Sequence, residues 1–185
     1  MIVLLKEKFG AENVALEERS SRAIETLRRK RGEKVVVLLD FDLGHGEPHA
    51  PEVLMAIREF TSLIYVIVVT AKQFSDIAPE DLVKFVNNDA FAIIQNTDDI
   101  DEIIDLTVKA AHSMDTRIDS VLEQWISNRS EEEAKRPYLS TPDGKSYSLS
   151  ELQNEIRHQS PIGKDLEKSI LHLAIELLAK EGKTK

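Results

Sequence analysis

The chain has 185 residues, 42% hydrophobic and 31% charged, with a formal net charge of −9 and no cysteine. That length accommodates one well-packed domain and a small appendage. The lack of cysteine excludes disulfides, thiolate catalysis and cysteine-type zinc sites, and the negative charge argues against non-specific nucleic-acid binding, which relies on Lys and Arg to neutralise phosphates.

The longest apolar run, Leu63 to Val69, is too short to span a membrane. No basic-then-apolar-then-small leader pattern opens the chain, so a cytoplasmic protein is expected. In chain order, Asn13 to Glu17 reads as a short strand and Arg19 to Arg31 as a helix with Ala23, Ile24 and Leu27 on its apolar stripe. Arg28 to Arg31 form a basic cluster in the last turn, where positive charge suits the helix dipole, and Gly32 is the stop. That cluster reads as a solvated helix end rather than a nucleic-acid patch.

From Lys34 to Leu43 the pattern changes. Val35 to Leu39 are apolar without interruption and the run ends at Asp40, as in a parallel strand buried on both faces. Ligands collect at the carboxyl ends of strands in open α/β sheets, so Asp40 is the first candidate site residue and Asp42 the second. A polar loop from Gly44 to Pro51 leads to a helix over Glu52–Phe60, with Val53, Leu54, Ile57 and Phe60 inward. Leu63 to Thr70 is the second buried strand. Pro79 to Asn87 is a helix with Leu82, Val83 and Val86 inward, and Ala90 to Gln95 is the third strand. Asn96-Thr97-Asp98-Asp99 suits a helix start. This alternation predicts an α/β, flavodoxin-like, doubly wound parallel sheet.

The next helix carries apolar or small residues at Ile104, Thr107, Ala111, Met114, Ile118, Val121 and Trp125. Those steps of three and four make a heptad seam and predict a long helix, paired in a homodimer or laid along its own domain. Ser127 to Arg136 reads as a linker or a fraying helix end. Thr141 to Lys145 marks a hairpin turn, Ser148-Leu149-Ser150-Glu151 a capping box, and Ser160-Pro161 a final helix start with Leu166, Ile170, Leu173 and Leu177 as its packing face. The expected division is an α/β domain over 1–115, a helical stalk or linker over 116–136, and a small hairpin-plus-helices module over 137–185 that docks on a partner or on its dimer mate.

Three strand ends carry polar groups: Asp40, Thr70 and the Gln95-Asn96 pair. A carboxylate beside a neighbouring hydroxyl can accept a phosphoryl group in line and then sense it, with Mg²⁺ neutralising the developing charge. The set resembles the receiver domain of two-component response regulators, from about residue 10 to about residue 113. Leu38-Leu39-Asp40 matches the phosphoacceptor strand and Glu52-Val53-Leu54 with Ile57-Arg58 the helix after it. Val66 to Ala71 matches the switch-threonine strand, and Ala90 to Thr97 the strand with the signature lysine and cis-proline. Ala23 to Leu27 sits where the family's second helix should.

The resemblance implies Asp40 as nucleophile, Thr70 as sensor and Asn96 in place of the lysine. It also implies Mg²⁺, held weakly by Asp40 and Asp42, and a histidine kinase or other signalling protein as partner. The chain departs from the family in having Asn96 and Thr97 for lysine and proline, a longer loop after Asp40, and no acidic pair from a first strand. Either Met1 to Gly10 is the tail of the first helix, or Met1 to Leu5 is itself that strand.

Two outcomes stand for the domain: a working phosphoacceptor, or a receiver-like fold kept for protein–protein contacts. The alternative from another class is a small flavodoxin-like phosphate- or nucleotide-binding enzyme, against which stands the lack of a glycine-rich phosphate loop. Ser160-Pro161-Ile162-Gly163-Lys164 lacks the first glycine and following Ser/Thr of such a loop. His45-Gly46-Glu47-Pro48-His49 offers two imidazoles and a carboxylate for a transition metal, or else lines the crevice rim.

Overall fold

The computed structural model describes every residue except 31, 32, 45, 97, 98, 115, 116, 142, 143, 159 and 182–185, and describes the backbone alone at 118, 119 and 181. The chain forms two compact units, Met1–Asp115 and Thr116–Lys185.

The first unit opens with a helix, α1 (Ile2–Phe9), closed by Gly10 at φ 89°. Of the two readings for Met1 to Leu5, the helical one therefore holds. A 3-10 turn follows at Ala11–Asn13, and the expected strand over Asn13 to Glu17 is absent. Leu16 is 66% exposed, and an extended segment with no ladder partner and no buried face does not count as a strand. Helix α2 (Ser20–Arg29) buries Leu27, while Arg28 lies 5.1 Å from the centre of the Phe60 ring. The Arg31-Gly32 stop lies outside the described residues.

Three strands, β1 (Val35–Asp40), β2 (Ile64–Thr70) and β3 (Ala92–Gln95), form a parallel sheet in the order β1-β2-β3. Val37 pairs with Val66, Asp40 with Val69 and Thr70 with Gln95. All three carboxyl ends lie at one edge, as the polar strand ends predict. Val35–Asp40, which reads as a strand buried on both faces, is not the interior strand of the sheet. Every residue of β2 is buried, whereas β1 is mostly half-buried and lies at the side of the sheet. An unbroken apolar run reports cover on both faces; it carries no record of how many strands flank it.

Helices cover both faces. Leu39 and Phe41 with Ile64, Val66 and Val68 pack against α2, α3 (Ala50–Arg58) and α4 (Pro79–Asn87). Tyr65, Ile67 and Ile94 pack against α5 (Ile100–Ser113), around Ala110 and Met114. In α3, Val53, Leu54, Ile57 and the following Phe60 are all buried, as their spacing predicts. In α4 the inward residues are Phe85 and Leu82, whereas Val83 and Val86 are exposed. The Phe85 ring meets Phe41 edge-on at 6.0 Å, and burying an aromatic outweighs burying two valines, so the helix is turned accordingly. Arg58 ties three elements together. Its guanidinium donates to the carbonyls of Ile64 (2.7 Å), Asn88 (2.9 Å) and Asp89 (3.0 Å), joining α3 to the start of β2 and the end of α4.

The continuous stalk is also corrected. α5 ends at Ser113, Arg117 is extended (φ −77°, ψ 131°), and α6 (Ile118–Ser127) belongs to the second unit. Of the seam residues, Ile104 and Met114 are spent on the first unit's own core, whereas Ala111 on α5 and Val121 and Trp125 on α6 are exposed. A heptad pattern cannot distinguish one helix from two whose faces happen to be in phase. The start of α5 is capped by Asp99, whose side chain accepts from Asp101 N–H; Thr97 and Asp98 lie outside the described residues.

In the second unit, α7 (Glu131–Lys135), β4 (Pro137–Ser140), β5 (Ser146–Ser148), α8 (Leu149–Arg157) and α9 (Pro161–Glu181) follow α6. β4 and β5 are antiparallel, as the turn signal predicts, although Pro142 and Asp143 of the turn lie outside the described residues. Ser148 and Glu151 form the reciprocal capping box. A second box, Ser130 with Glu133, opens α7; the same Ser-x-x-Glu spacing was legible in the span read as a linker. Residues 118–127 are part of a core rather than a stalk, since Ile126 and Leu122 cluster with Ala134 and Leu149. Within that core Arg157 and Glu123 form an ion pair at 3.4 Å, with side chains 2% and 1% exposed.

α9 crosses α8 closely at Gly163, where a Cβ would fall against the Glu155 carbonyl and 2.7 Å from the Ile156 nitrogen. Its packing face is shorter than expected: Leu166 and Ile170 are half-buried, but Leu173 and Leu177 are exposed. α8 has 9 residues against 21 in α9, so its partner runs out first.

Candidate functional site

The candidate rim is built by the sheet's register. Phe41 N–H bonds to the Val69 carbonyl at 2.8 Å, and Asn96 N–H to the Thr70 carbonyl at 2.8 Å, so the three chains leave the sheet together. Asp40 is exposed, and its carboxylate accepts the Asp42 N–H at 3.3 Å. Thr70 is 1% exposed, and its hydroxyl accepts the Lys72 N–H at 3.0 Å. Gln95 donates from Nε2 to the Lys72 carbonyl at 3.0 Å.

These residues share an edge but not a side of the sheet. Asp40 continues the row of Val36 and Leu38, which packs toward α5, whereas Thr70 and Gln95 continue the row of Val66, Val68 and Ile93, which packs toward α3 and α4. That division follows from strict strand alternation.

The residue that sequence reasoning missed is Lys72. Its ammonium lies 3.0 Å from Asp42 Oδ1 and 4.5 Å from the centre of the Phe41 ring. Where a cation was expected on β3 and Asn96 was found, a cation arrives instead from the end of β2. The signal was present in Thr70-Ala71-Lys72, but nothing in spacing alone says which way the chain turns after a strand.

The loop between β1 and α3 is also occupied. Glu47 accepts hydrogen bonds from both the backbone N–H and the hydroxyl of Ser20, so it caps α2, whose own N-cap residue, Arg19, supplies no side-chain cap. The Ser20 hydroxyl, more than anything else, holds the Glu47 carboxyl below the usual range; burial opposes it, and the Ser20 backbone N–H adds a smaller lowering effect. Glu47 is therefore committed, and the His45–His49 metal reading loses its carboxylate; His45 itself lies outside the described residues. No group of three His, Asp or Glu side chains suited to a metal occurs among the described residues. Asp40 and Asp42, with Asp42 paired to Lys72, do not make the oxygen-rich octahedral set that Mg²⁺ takes.

A cavity of about 310 Å³ lies between β3 and α5, lined by Ile94, Glu102, Ile103, Asp105, Leu106 and Lys109, and none of the rim residues contributes to it. No helix among the described residues is long and apolar enough to cross a membrane.

No family model and no curated protein matches this chain. Solved structures do. The signal receiver domain of a putative LuxO repressor protein from Vibrio parahaemolyticus superposes with a TM-score of 0.50 at 17% identity, over 69% of this chain and 88% of that one. The likeness is one of fold. The first unit is receiver-like, a flavodoxin-like α/β arrangement with three parallel strands. A fusion carrying the yeast Spc42 trimeric coiled coil also matches, with a TM-score of 0.50 at 19% identity, over 66% of this chain and 77% of that one. A LuxR-family DNA-binding response regulator from Staphylococcus aureus is 27% identical over 50% of this chain and 71% of its own, with a TM-score of 0.41.

Proposed function

We propose that the first unit is a signalling domain of the response-regulator type that works by binding other proteins rather than by turning over phosphate. The observation that carries this reading is the Lys72–Asp42 pair at the rim. It combines a receiver-like arrangement of strand ends with an acidic group already neutralised from within. An internal cation removes the need for a bound metal, and with it most of the means of catalysing phosphoryl transfer.

A second reading is favoured by the state of Asp40. Its carboxylate is exposed and, among the described residues, accepts a single hydrogen bond, from Asp42 N–H. Such an oxygen is free to attack a phosphodonor. In that reading Asp40 is the nucleophile, Thr70 and Asn96 contact the product, and a histidine kinase or another phosphoprotein supplies the group. The small phosphate- or nucleotide-binding enzyme has no comparable support, because the cavity beside α5 is lined by two carboxylates and one lysine, which disfavours an anionic ligand.

Incubation with a small-molecule phosphodonor and Mg²⁺, read by intact mass, tests the proposal. An unchanged mass is expected. A gain of one phosphoryl group that disappears in Asp40→Asn would overturn it and establish the second reading.

A further inference from the structure

The cavity of about 310 Å³ between β3 and α5 has a lining divided by chemistry. Its floor is aliphatic: Ile103 is 3% exposed, and Ile94 and Leu106 are half-buried. Its margin is charged. Glu102, Asp105 and Lys109 are exposed, and their spacing along α5, with Leu106 between them, puts all four on one face of the helix. At 1.5 Å of rise per residue the three charges are strung over about 10 Å, in the order carboxylate, carboxylate, ammonium. Among the described residues none of these three side chains has a hydrogen-bond or ion-pair partner. Asp105 and Lys109 stand at the four-residue spacing that usually pairs on a helix. Glu25 with Arg29, Glu131 with Lys135 and Glu132 with Arg136 do pair at that spacing. Beside the cavity the same spacing is left open, with both charges available to a ligand.

We infer that this cavity binds a free basic α-amino acid, arginine or lysine. At neutral pH such a molecule carries two cationic groups and one carboxylate, the inverse of the two carboxylates and one ammonium of the lining. The ligand's α-carboxylate and α-ammonium share one carbon, and Lys109 and Asp105, one helical turn apart, are placed to take one each. Its aliphatic stem lies along Ile94, Ile103 and Leu106, as such stems do on apolar surface. Its terminal cation then reaches Glu102, one turn further toward the start of α5. The volume stands at the lower end of the range for small-ligand sites, about 300–1,000 Å³, which suits an amino acid better than a nucleotide or a folded partner. An acidic amino acid would meet two like charges, and an apolar one would leave Glu102 without a partner. The cavity shares no residue with the rim, so binding here is independent of whether Asp40 accepts phosphate.

Titration of the full isotope-labelled chain with L-arginine and L-lysine, followed by amide shifts in NMR, tests the assignment. Saturable binding is expected with Kd of about 0.1–1 mM, the range for a small ligand held by exposed charges, with the largest shifts at Ile94, Ile103, Leu106 and Lys109. Norleucine keeps the stem and both α-groups but lacks the terminal cation, and should bind roughly threefold or more weakly. Glu102→Gln should remove the preference for arginine over norleucine. Lys109→Met should remove the preference for arginine over agmatine, which lacks the carboxylate. Both side chains are exposed, so neither substitution opens the core. No saturable shift up to about 10 mM ligand, norleucine bound as tightly as arginine, or a preference for arginine that survives Glu102→Gln would overturn the assignment. So would equal binding of arginine blocked at both its amino and carboxyl groups, the signature of a peptide segment rather than a free amino acid.

Discussion

Lys72 Nζ lies 3.0 Å from Asp42 Oδ1, and through this contact the ends of β1 and β2 are held by opposite charge. The two side chains are 41% and 50% exposed, so the pair is worth at most about 1 kcal/mol. Its importance is what it excludes from the rim.

Lys72→Met removes the internal cation and leaves two carboxylates without a counter-charge. Mg²⁺ affinity at the rim should rise by roughly two- to fivefold, the factor corresponding to an exposed ion pair. Amide shifts of Asp40 and Asp42 in an NMR titration report it. Equal affinity in wild type and variant would mean that Lys72 does not compete for this site.

The second unit depends on a charge pair of a different kind. Glu123 and Arg157 are almost completely buried, and Glu123→Gln removes the carboxylate charge that lies 3.4 Å from the buried guanidinium. The unit should lose roughly 3–5 kcal/mol. Trp125, the single tryptophan of the chain, lies in α6 and reports the unfolding of this unit by fluorescence in urea. Replacing both partners with leucine should cost clearly less, because no lone charge remains.

Three carboxylates at helix starts make the protein acid-sensitive. Glu47 is held below its ordinary value of 4.5 by the Ser20 hydroxyl first, and Glu133 and Glu151 by the backbone N–H groups of Ser130 and Ser148. Because the native values are lowered, the unfolded chain binds protons more readily as pH falls. The stabilisation is complete above about pH 4.5 and is lost as pH falls through the native values. Lys84 is raised by its hydrogen bond to Glu52, then by that to Asp81; its contribution persists through neutral pH and is lost on the alkaline side, above its ordinary value of 10.5. Urea midpoints at pH 7 and near pH 3.5 should differ, and Glu151→Gln should narrow the difference. Ser148→Ala should lower stability by about 1 kcal/mol at pH 7, the usual loss of an N-cap.

What the sequence determined by itself was everything that repeats along the chain or sits within one turn of it. The three apolar runs, the polar residues closing them, the helices between, and the Ser148–Glu151 box follow from periodicity and local hydrogen bonding. The inward face of α3 follows from the same spacing. Tertiary structure decided what depends on neighbours distant in sequence. β1 lies at a side of the sheet because strand order is set by which backbone edges meet, and hydrophobic pattern is blind to that. α4 turns Phe85 inward because Phe41 is there to receive it, and the seam from Ile104 to Trp125 breaks because two cores compete for one run of residues. Lys72 reaches Asp42, and Glu47 reaches Ser20, across 30 and 27 positions of chain. Polar contacts over such separations arise only after the sheet has brought the loops together.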